Sequence, residues 1–583
     1  MRIKHVYILT VVLGILICGC DDAPQKNPSA KKIDKAMEAW AKTDNELMDF
    51  YKPAFAENYS SWERELNDIS RASIESAYDG VEEAMSILGT IDSSGLSSKE
   101  KLSLDVARRF LEIKLEGKPY AFHECLINPV DGLQFRLFED LSYSYNMEAK
   151  DDGDYFLAKI RAFPAKIGQL RSYLNACGEK GTLPPRILLE ASYQQAKRLA
   201  ETPPKEHPLY RGIARQLGNA DPVMINELEA TEYLINAERI LRENIYPAYE
   251  DLLKIIEVLV ENAGEEISVK RFEDGEKFYR YQFKKYLGYE RDPSGLHDWG
   301  LAQMDSLQEL YSLDALKEGP QLEAGERLRT RMASLDSARA YLRRMRRNAK
   351  GLMDSLPQTR LYLMEMPDWG MDYTQLWRYY SPSLDRARRG ILLIDMSHPD
   401  YQGILTHRIQ LYQFGNPGLH FFQSGNLDDD GLSDFSKWLR FYGNQEGWAL
   451  FSGDLVVHTL GLLQEEPAAF AEYQQEKIKA LGKLIVDTGI HMEDWTREEA
   501  IDYLVEKAKL SSRQAAMWVD DCIIYPGKNS TSWLGYLDLL ALEKEAKQLM
   551  GGNFLLQDFH SKVLNLAHSP FKMTRSRLGT LLN

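Results

Sequence analysis

Cysteine is scarce in this 583-residue chain, with five in all, at positions 18, 20, 125, 177 and 522. Their spacing offers neither the close pairs of a zinc site nor the even framework of a disulfide-stapled domain, and at most one bridge can form once the first two are set aside. After the amino-terminal segment there is no second long apolar run, so the body has nothing that spans a ~30 Å hydrocarbon core. Positive charge is in deficit. The formal net charge is −16, which excludes the basic footprint of a nucleic-acid-binding protein. One basic cluster exists, Arg343, Arg344, Arg346, Arg347 and Lys350, but on a helix it spreads around the circumference and reads as solvated surface. No phosphate loop, nucleophile elbow, dinucleotide fingerprint or fixed-period repeat is present.

What is present begins at the first residue. Arg2, Lys4 and His5 form a basic head, and Val6 to Ile17 is almost unbroken apolar sequence. That run is too short to cross a membrane and matches the h-region of a signal peptide. Ile17-Cys18-Gly19-Cys20 resembles a lipobox, in which the cysteine after a small residue takes the lipid. An ordinary signal peptide cut nearby is the alternative. The expectation is a signal peptide over 1–19, lipidation at Cys20, and a polar tether to residue 32 holding Pro24 and Pro28. Everything after Cys20 then lies outside the cytoplasm, with a membrane as the first partner.

The body, 33–583, reads as one large unit. Its composition, 44% hydrophobic and 27% charged, is that of an ordinary globular protein. Helical periodicity dominates: two helices over 33–91, then 154–175, 185–199 and 225–262, and a pair over 301–356 broken near Gly319-Pro320. Two segments read as strands, 361–366 and 390–396, and helices return from residue 401. The fold class is predominantly all-α with a small β element around 361–396.

Two places carry candidate chemistry. In Gln413-Phe414-Gly415-Asn416-Pro417-Gly418-Leu419-His420, the proline removes an amide donor and is expected to kink a helix. Positions 413 and 420, seven apart, would then face the same way. The second is Glu446, in the middle of the stripe Phe435, Leu439, Tyr442, Leu450 and Val457, with Trp448, Phe451 and Leu455 beside it. This helix is expected to be buried nearly all round. A carboxylate there needs a partner, either a structural hydrogen bond or ion pair or a metal. Lesser signals weigh less. Asn426-x-Asp428-x-Asp430-Gly431 begins like a calcium loop, but Lys437 stands where the bidentate glutamate belongs. His123-Glu124-Cys125 begins like a metallopeptidase helix without its second histidine.

At these residues the chain resembles a known family. Glu446-Gly447-Trp448-Ala449-Leu450-Phe451 is close to the Glu-Gly-Trp-Ala-Leu-Tyr signature of the bacterial domain of unknown function 885, whose members also carry His-Glu-x-x-Pro-Gly-His-His and look like zinc metallopeptidases. The resemblance extends to Leu356-Pro357, Tyr380-Ser381-Pro382-Ser383-Leu384-Asp385, Tyr525-Pro526-Gly527, Gly535, Phe559-His560, and Asp274 through Tyr286. It covers about residues 45 to 583 and implies a zincin-like, metallopeptidase-like fold. The departures are chemical. Gln413, Phe414 and Leu419 stand where the family has histidine, glutamate and histidine, and only His420 keeps an ionisable group. Gly453 replaces an acidic residue, Asp521 an arginine, Lys528 a glutamine and Ser532 a tyrosine. A catalytic zinc needs about three protein ligands plus a base, and the aligned positions leave His420 and Glu446. The expected reading is a decayed zinc site, no cofactor, and a non-catalytic pseudoenzyme whose groove binds a peptide or a protein. The alternative is a metal-dependent hydrolase with a rearranged zinc site built from His420, Glu446 and either His407 or His458.

Overall fold

The computed structural model describes residues 28–41, 66–143, 147, 150–311, 313, 324–366, 376–384, 386, 389–396, 398, 401, 407–429, 431–463 and 466–581. The signal segment, Cys20 and the tether up to residue 27 lie outside the described residues, as does the break expected near Gly319-Pro320.

Several helices start where the sequence supplies a cap. The N-terminal part runs through α1 (Pro28–Ala41), α2 (Arg71–Gly89), α3 (Ser98–Glu116), α4 (Leu133–Tyr143), α5 (Lys150–Arg161), α6 (Phe163–Lys180), α7 (Arg186–Glu201), α8 (Pro208–Asn219), α9 (Glu227–Ile240) and α10 (Tyr246–Asn262). Ser97 and Glu100 close a capping box on α3, and Asn226 and Glu229 close one on α9. Gly181 ends α6 in the left-handed conformation that glycine adopts without steric cost. One core gathers Phe138, Phe163 and Tyr249 from α4, α6 and α10. Trp40, Val81 and Leu111 of α1 to α3 form another, which reaches across the sequence to Phe435 and Phe441.

The second part contains α11 (Gly275–Leu287), α12 (Leu296–Leu310) and α13 (Ala324–Asn348), then three strands, β1 (Leu361–Glu365), β2 (Trp377–Tyr380) and β3 (Gly390–Ile394). β3 is central, parallel to β1 and antiparallel to β2. Two strands were expected, and β2 is the addition. Trp377-Arg378-Tyr379-Tyr380 lacks the apolar alternation that marks a strand. Its tertiary partners hold it instead: Arg378 pairs with the buried Glu139 of α4, and the Trp377 indole donates to Gln410 at 2.9 Å.

The chain continues through α14 (Arg408–Phe414), α15 (Leu419–Ser424), α16 (Asp434–Trp438), α17 (Tyr442–Asp454), α18 (Pro467–Met492), α19 (Arg497–Ala508), α20 (Ser512–Ile524), α21 (Ser530–Met550), α22 (Leu556–Asn565), α23 (Phe571–Arg575) and α24 (Leu578–Leu581). Pro417 does more than kink a helix. The segment breaks into α14 and α15 around a cis Asn416–Pro417 bond, so 413 and 420 no longer share a helical face. α17 packs on α21 with almost nothing between the backbones. A Cβ on Gly447 would lie 2.4 Å from the Gly535 carbonyl carbon, and one on Gly535 would lie 1.8 Å from the Gly443 oxygen. Trp448 is fully buried, as the apolar surround of α17 predicts, and its indole donates to the Pro417 carbonyl at 2.8 Å. Cys125, Cys177 and Cys522 are buried free thiols.

Candidate functional site

The broken helix distributes the four motif positions among three surroundings. His420 lies against the sheet, wholly buried, where only a glycine at 390 leaves room: a Cβ there would sit 2.6 Å from its Nδ1. Its Nε2 is 3.1 Å from the Thr359 carbonyl and its Nδ1 3.1 Å from the Tyr379 hydroxyl. A carbonyl only accepts, so Nε2 carries the proton and Nδ1 accepts from tyrosine. Both nitrogens are thereby committed. Burial pushes the imidazole pKa down to about 4, which keeps it neutral. Phe414 stacks on Trp377, and Leu419 is buried. Gln413 turns the other way. Its amide nitrogen would be 3.7 Å from a Cβ on Gly453, so the two positions where the family pattern has a ligand and an acid are neighbours in space.

Beyond Gly453 lies a seam of charge between the antiparallel helices α17 and α18. The Asp454 carboxylate accepts from Tyr473 at 2.7 Å and from Tyr536 at 2.7 Å, and pairs with Lys477 at 2.8 Å. The ammonium also lies 3.5 Å from the centre of the Tyr536 ring. Burial lowers the Lys477 pKa to about 8 against the pull of Asp454. Burial and Asp454 together raise both tyrosines. The proton of Tyr473 goes to Asp454, so His458, 3.1 Å away on a π-helical turn, donates to that hydroxyl. His407 is held elsewhere, with Nδ1 2.9 Å from Gln410 Oε1, which also takes the Trp377 indole proton. Among the described residues His407 Nε2 has no partner, and burial pushes the imidazole pKa down to about 4.

Eight residues before Asp454, about 12 Å along the helix, Glu446 faces a second set of charges. Its nearest opposing groups are Lys483 of α18 and Lys528, with Asp521 adding repulsion, and burial raises its pKa. Lys483 stands over the Trp518 ring at 2.9 Å from its centre, and burial and the Lys479 charge lower its pKa to about 8. Lys528 lies 3.6 Å from Asp521 and 4.1 Å from the Tyr525 ring centre. Further along, Lys285 and Glu124 pair at 2.7 Å with 35% and 54% of their side chains open to solvent. Desolvation is nevertheless the largest effect on Lys285. Lys285 of α11, Glu446 of α17, Lys483 of α18 and Trp518 of α20 are all half-buried, as is Lys528.

Glu446 and His420 therefore sit in different surroundings, and His407 and His458 each have a hydrogen-bonding role of their own. Among the described residues no three histidine, cysteine or carboxylate side chains gather closely enough to hold a metal ion. A zinc of the kind the resemblance implies does not fit the residues present at the motif, because the imidazole of His420 has no free nitrogen. In the loop that resembles a calcium site, Asp428 pairs with Arg386 and Asp429 with Lys99. Sequence reasoning missed Asp454, Tyr473, Lys477 and Lys483. The available signal was the row Glu472, Glu476, Lys479, Lys483 and Asp487 at three- and four-residue spacing on α18, most of whose remaining residues are apolar. Two surface cavities, of about 400 and 230 Å³, lie away from this region, beside Lys150 and Glu229 and beside Ser29 and Asp429.

The model of the family "Bacterial protein of unknown function (DUF885)" matches residues 53–578. No curated protein matches the sequence. Among solved structures, a "putative lipoprotein" from Colwellia psychrerythraea superposes with a TM-score of 0.85 at 18% identity, covering 95% of this chain and 98% of that one. A "putative lipoprotein of unknown function" from Shewanella oneidensis gives 0.63 at 15% identity, covering 95% and 100%. At such identities the likeness establishes the fold.

Proposed function

The chain belongs to the DUF885 family of bacterial proteins of unknown function, and from that premise we propose that it is a lipid-anchored, extracytoplasmic binding protein on a metallopeptidase-like scaffold whose zinc site has decayed. Its groove takes a peptide or a segment of a protein partner, and its attachment to the membrane is the lipid on Cys20. The basic head, apolar run and lipobox-like Ile17-Cys18-Gly19-Cys20 support the anchor, and the two fold neighbours carry the word lipoprotein in their descriptions.

The observation that carries the non-catalytic reading is the saturation of His420. A zinc hydrolase needs an imidazole lone pair for the metal and a carboxylate to take a proton from bound water. Here the lone pair of Nδ1 faces the Tyr379 hydroxyl, and amide, phenyl and isobutyl groups occupy the remaining motif positions. The surroundings of Glu446, by contrast, keep charged and aromatic side chains. The test is elemental analysis of the purified mature protein, together with a peptidase assay and peptide-binding titration. The expected result is no stoichiometric zinc, no hydrolysis and saturable peptide binding. One zinc per chain with peptidase activity that His420→Ala abolishes would overturn it in favour of the rearranged hydrolase.

A further inference from the structure

Residues 343–360 hold six cations and one carboxylate, Asp354, in a chain whose net charge is −16. The helix alone would spread these cations, and the fold gathers most of them. Ala338, Leu342 and Met345 form the buried face of α13. Arg339, Arg343 and Arg346 fall at four- and three-residue spacing along one flank of it, with Arg347 beside them and Lys350 on the turn that extends the helix. Arg344 falls on the other flank. The cationic flank is turned to β1, since Arg339 donates to the Leu363 carbonyl at 3.3 Å and Arg346 to the Pro357 carbonyl. The sheet adds two more cations. Leu361 is in register with Gly390, whose amide donates to the Arg360 carbonyl at 3.1 Å, so Arg360 and Arg389 stand side by side where the two parallel strands begin. The Arg389 guanidinium lies 4.7 Å from the centre of the Tyr362 ring, and Tyr362 is 46% exposed. Neighbouring acids are taken, Asp336 by Arg339 at 3.1 Å and Asp428 by Arg386 at 2.9 Å. Among the described residues no carboxylate pairs with Arg343, Arg347, Lys350, Arg360 or Arg389, and all five are exposed.

This basic end adjoins the first turn of α1. Ser29 lines the cavity of about 230 Å³ together with Asp429 and Gly431. Asp428, one residue earlier in the same loop, accepts from the Gln358 amide at 3.0 Å. One short loop therefore touches both the start of α1 and the segment that leads into β1. The eight steps of chain from Cys20 to Pro28 reach at most about 29 Å.

We propose that the end of the molecule formed by α13 and the starts of β1 and β3 docks on an anionic lipid surface, with Arg343, Arg347, Lys350, Arg360 and Arg389 over the headgroup phosphates. This rests on the anchored reading above and deepens it from a point of attachment to an orientation. The exposed cations lack counter-ions that the headgroups supply, and a lipid on Cys20 holds the two within reach. Tyr362 has the amphipathic ring that suits the headgroup level. The acidic remainder of the chain is repelled by the same surface, so the molecule stands on this end.

Co-sedimentation tests this with the mature chain, residues 20–583, carrying Cys20→Ser so that no lipid contributes. The probes are vesicles of phosphatidylglycerol and phosphatidylethanolamine in equal parts, and vesicles of phosphatidylcholine. Binding to the anionic vesicles alone, fading with added salt, is the expected result. Arg343→Gln, Arg347→Gln and Lys350→Gln together should weaken it about a hundredfold, and Arg360→Gln with Arg389→Gln about twentyfold. The same charge taken from elsewhere, by Lys197→Gln, Lys205→Gln and Lys254→Gln, should leave it within about twofold. No binding to the anionic vesicles overturns the proposal, as does equal binding to both kinds or an equal loss in the second triple variant. Capture of poly-glutamate by a chain that ignores the vesicles overturns it in favour of an acidic protein partner. None of these outcomes bears on the anchor itself, which incorporation of labelled palmitate at Cys20 decides separately. Should the first triple variant fail to fold by circular dichroism, the Arg360 and Arg389 variant decides.

Discussion

His420 and Glu446 carry the two candidate motifs, and their surroundings treat polar groups in different ways. In the His420 pocket every polar atom of the imidazole has found a protein partner, and Gly390 lets the ring lie flush on the sheet. Around Glu446, Lys483 stands over the Trp518 ring and Lys528 pairs with Asp521 at 3.6 Å, and among the described residues no hydrogen bond joins Glu446 to either lysine. A buried site that loses its ligand is under pressure to satisfy itself internally, since an unpaired buried group costs roughly 1–3 kcal/mol. A site still open to water is under less pressure.

The comparison can be broken most severely at its closed end. Trp448→Ala should destabilise the protein by about 3–5 kcal/mol, because it empties a fully buried site and strips the Pro417 carbonyl of its donor. Urea denaturation measures this, and a change under about 0.5 kcal/mol would mean the loop between α14 and α15 does not depend on it. Next comes Asp454→Leu, which leaves Lys477, 2% exposed, without its counter-ion. About 3 kcal/mol is the expected loss in the same assay, and the double change with Lys477→Met should recover much of it.

Acid provides a third, smaller lever. The folded His420 pKa of about 4 lies below the ordinary value of 6.5. Between those values the unfolded chain binds a proton that the folded one refuses, so the contribution is whole above pH 6.5 and shrinks as pH falls towards 4. On lowering the pH from 7.5 to 5, wild type should lose about 2 kcal/mol relative to His420→Gln. Parallel stability curves for the two proteins would show that the ring titrates normally. The smallest effect belongs to the open end. Lys483→Met should shift stability by less than about 1 kcal/mol in either direction, because no bonded partner is orphaned. A loss as large as that of Asp454→Leu would place Lys483 among the closed groups.

Much of the fold was legible, and the reason is local. Periodicity of 3.6 residues reports on neighbours a turn away, so the helical class and the burial of Trp448 followed from the residues themselves. β2 did not, since Arg378 answers to Glu139 some 239 positions earlier. At the candidate site, the lack of an imidazole or carboxylate at Gln413, Phe414 and Leu419 was legible from the side chains alone. The contacts around it were not, because the bond from His420 to Thr359 and the pairing of Asp454 with Lys477 join residues that only the fold brings together. Pro417 was read correctly as a disturbance and underestimated in degree. Periodicity carried 413 and 420 onto one face, where the chain instead turns between them.

The glycines at 443, 447 and 535 leave α17 and α21 in contact backbone to backbone. Two cylinders meshed that closely cannot roll or slide past each other without collision, so they behave mechanically as one beam. Glu446, Leu450 and Asp454 project from that beam and inherit its rigidity. If the surroundings of Glu446 shift to admit a guest, the travel belongs to α18 and α20, and a distance probe placed on α17 and α21 should record no movement at all.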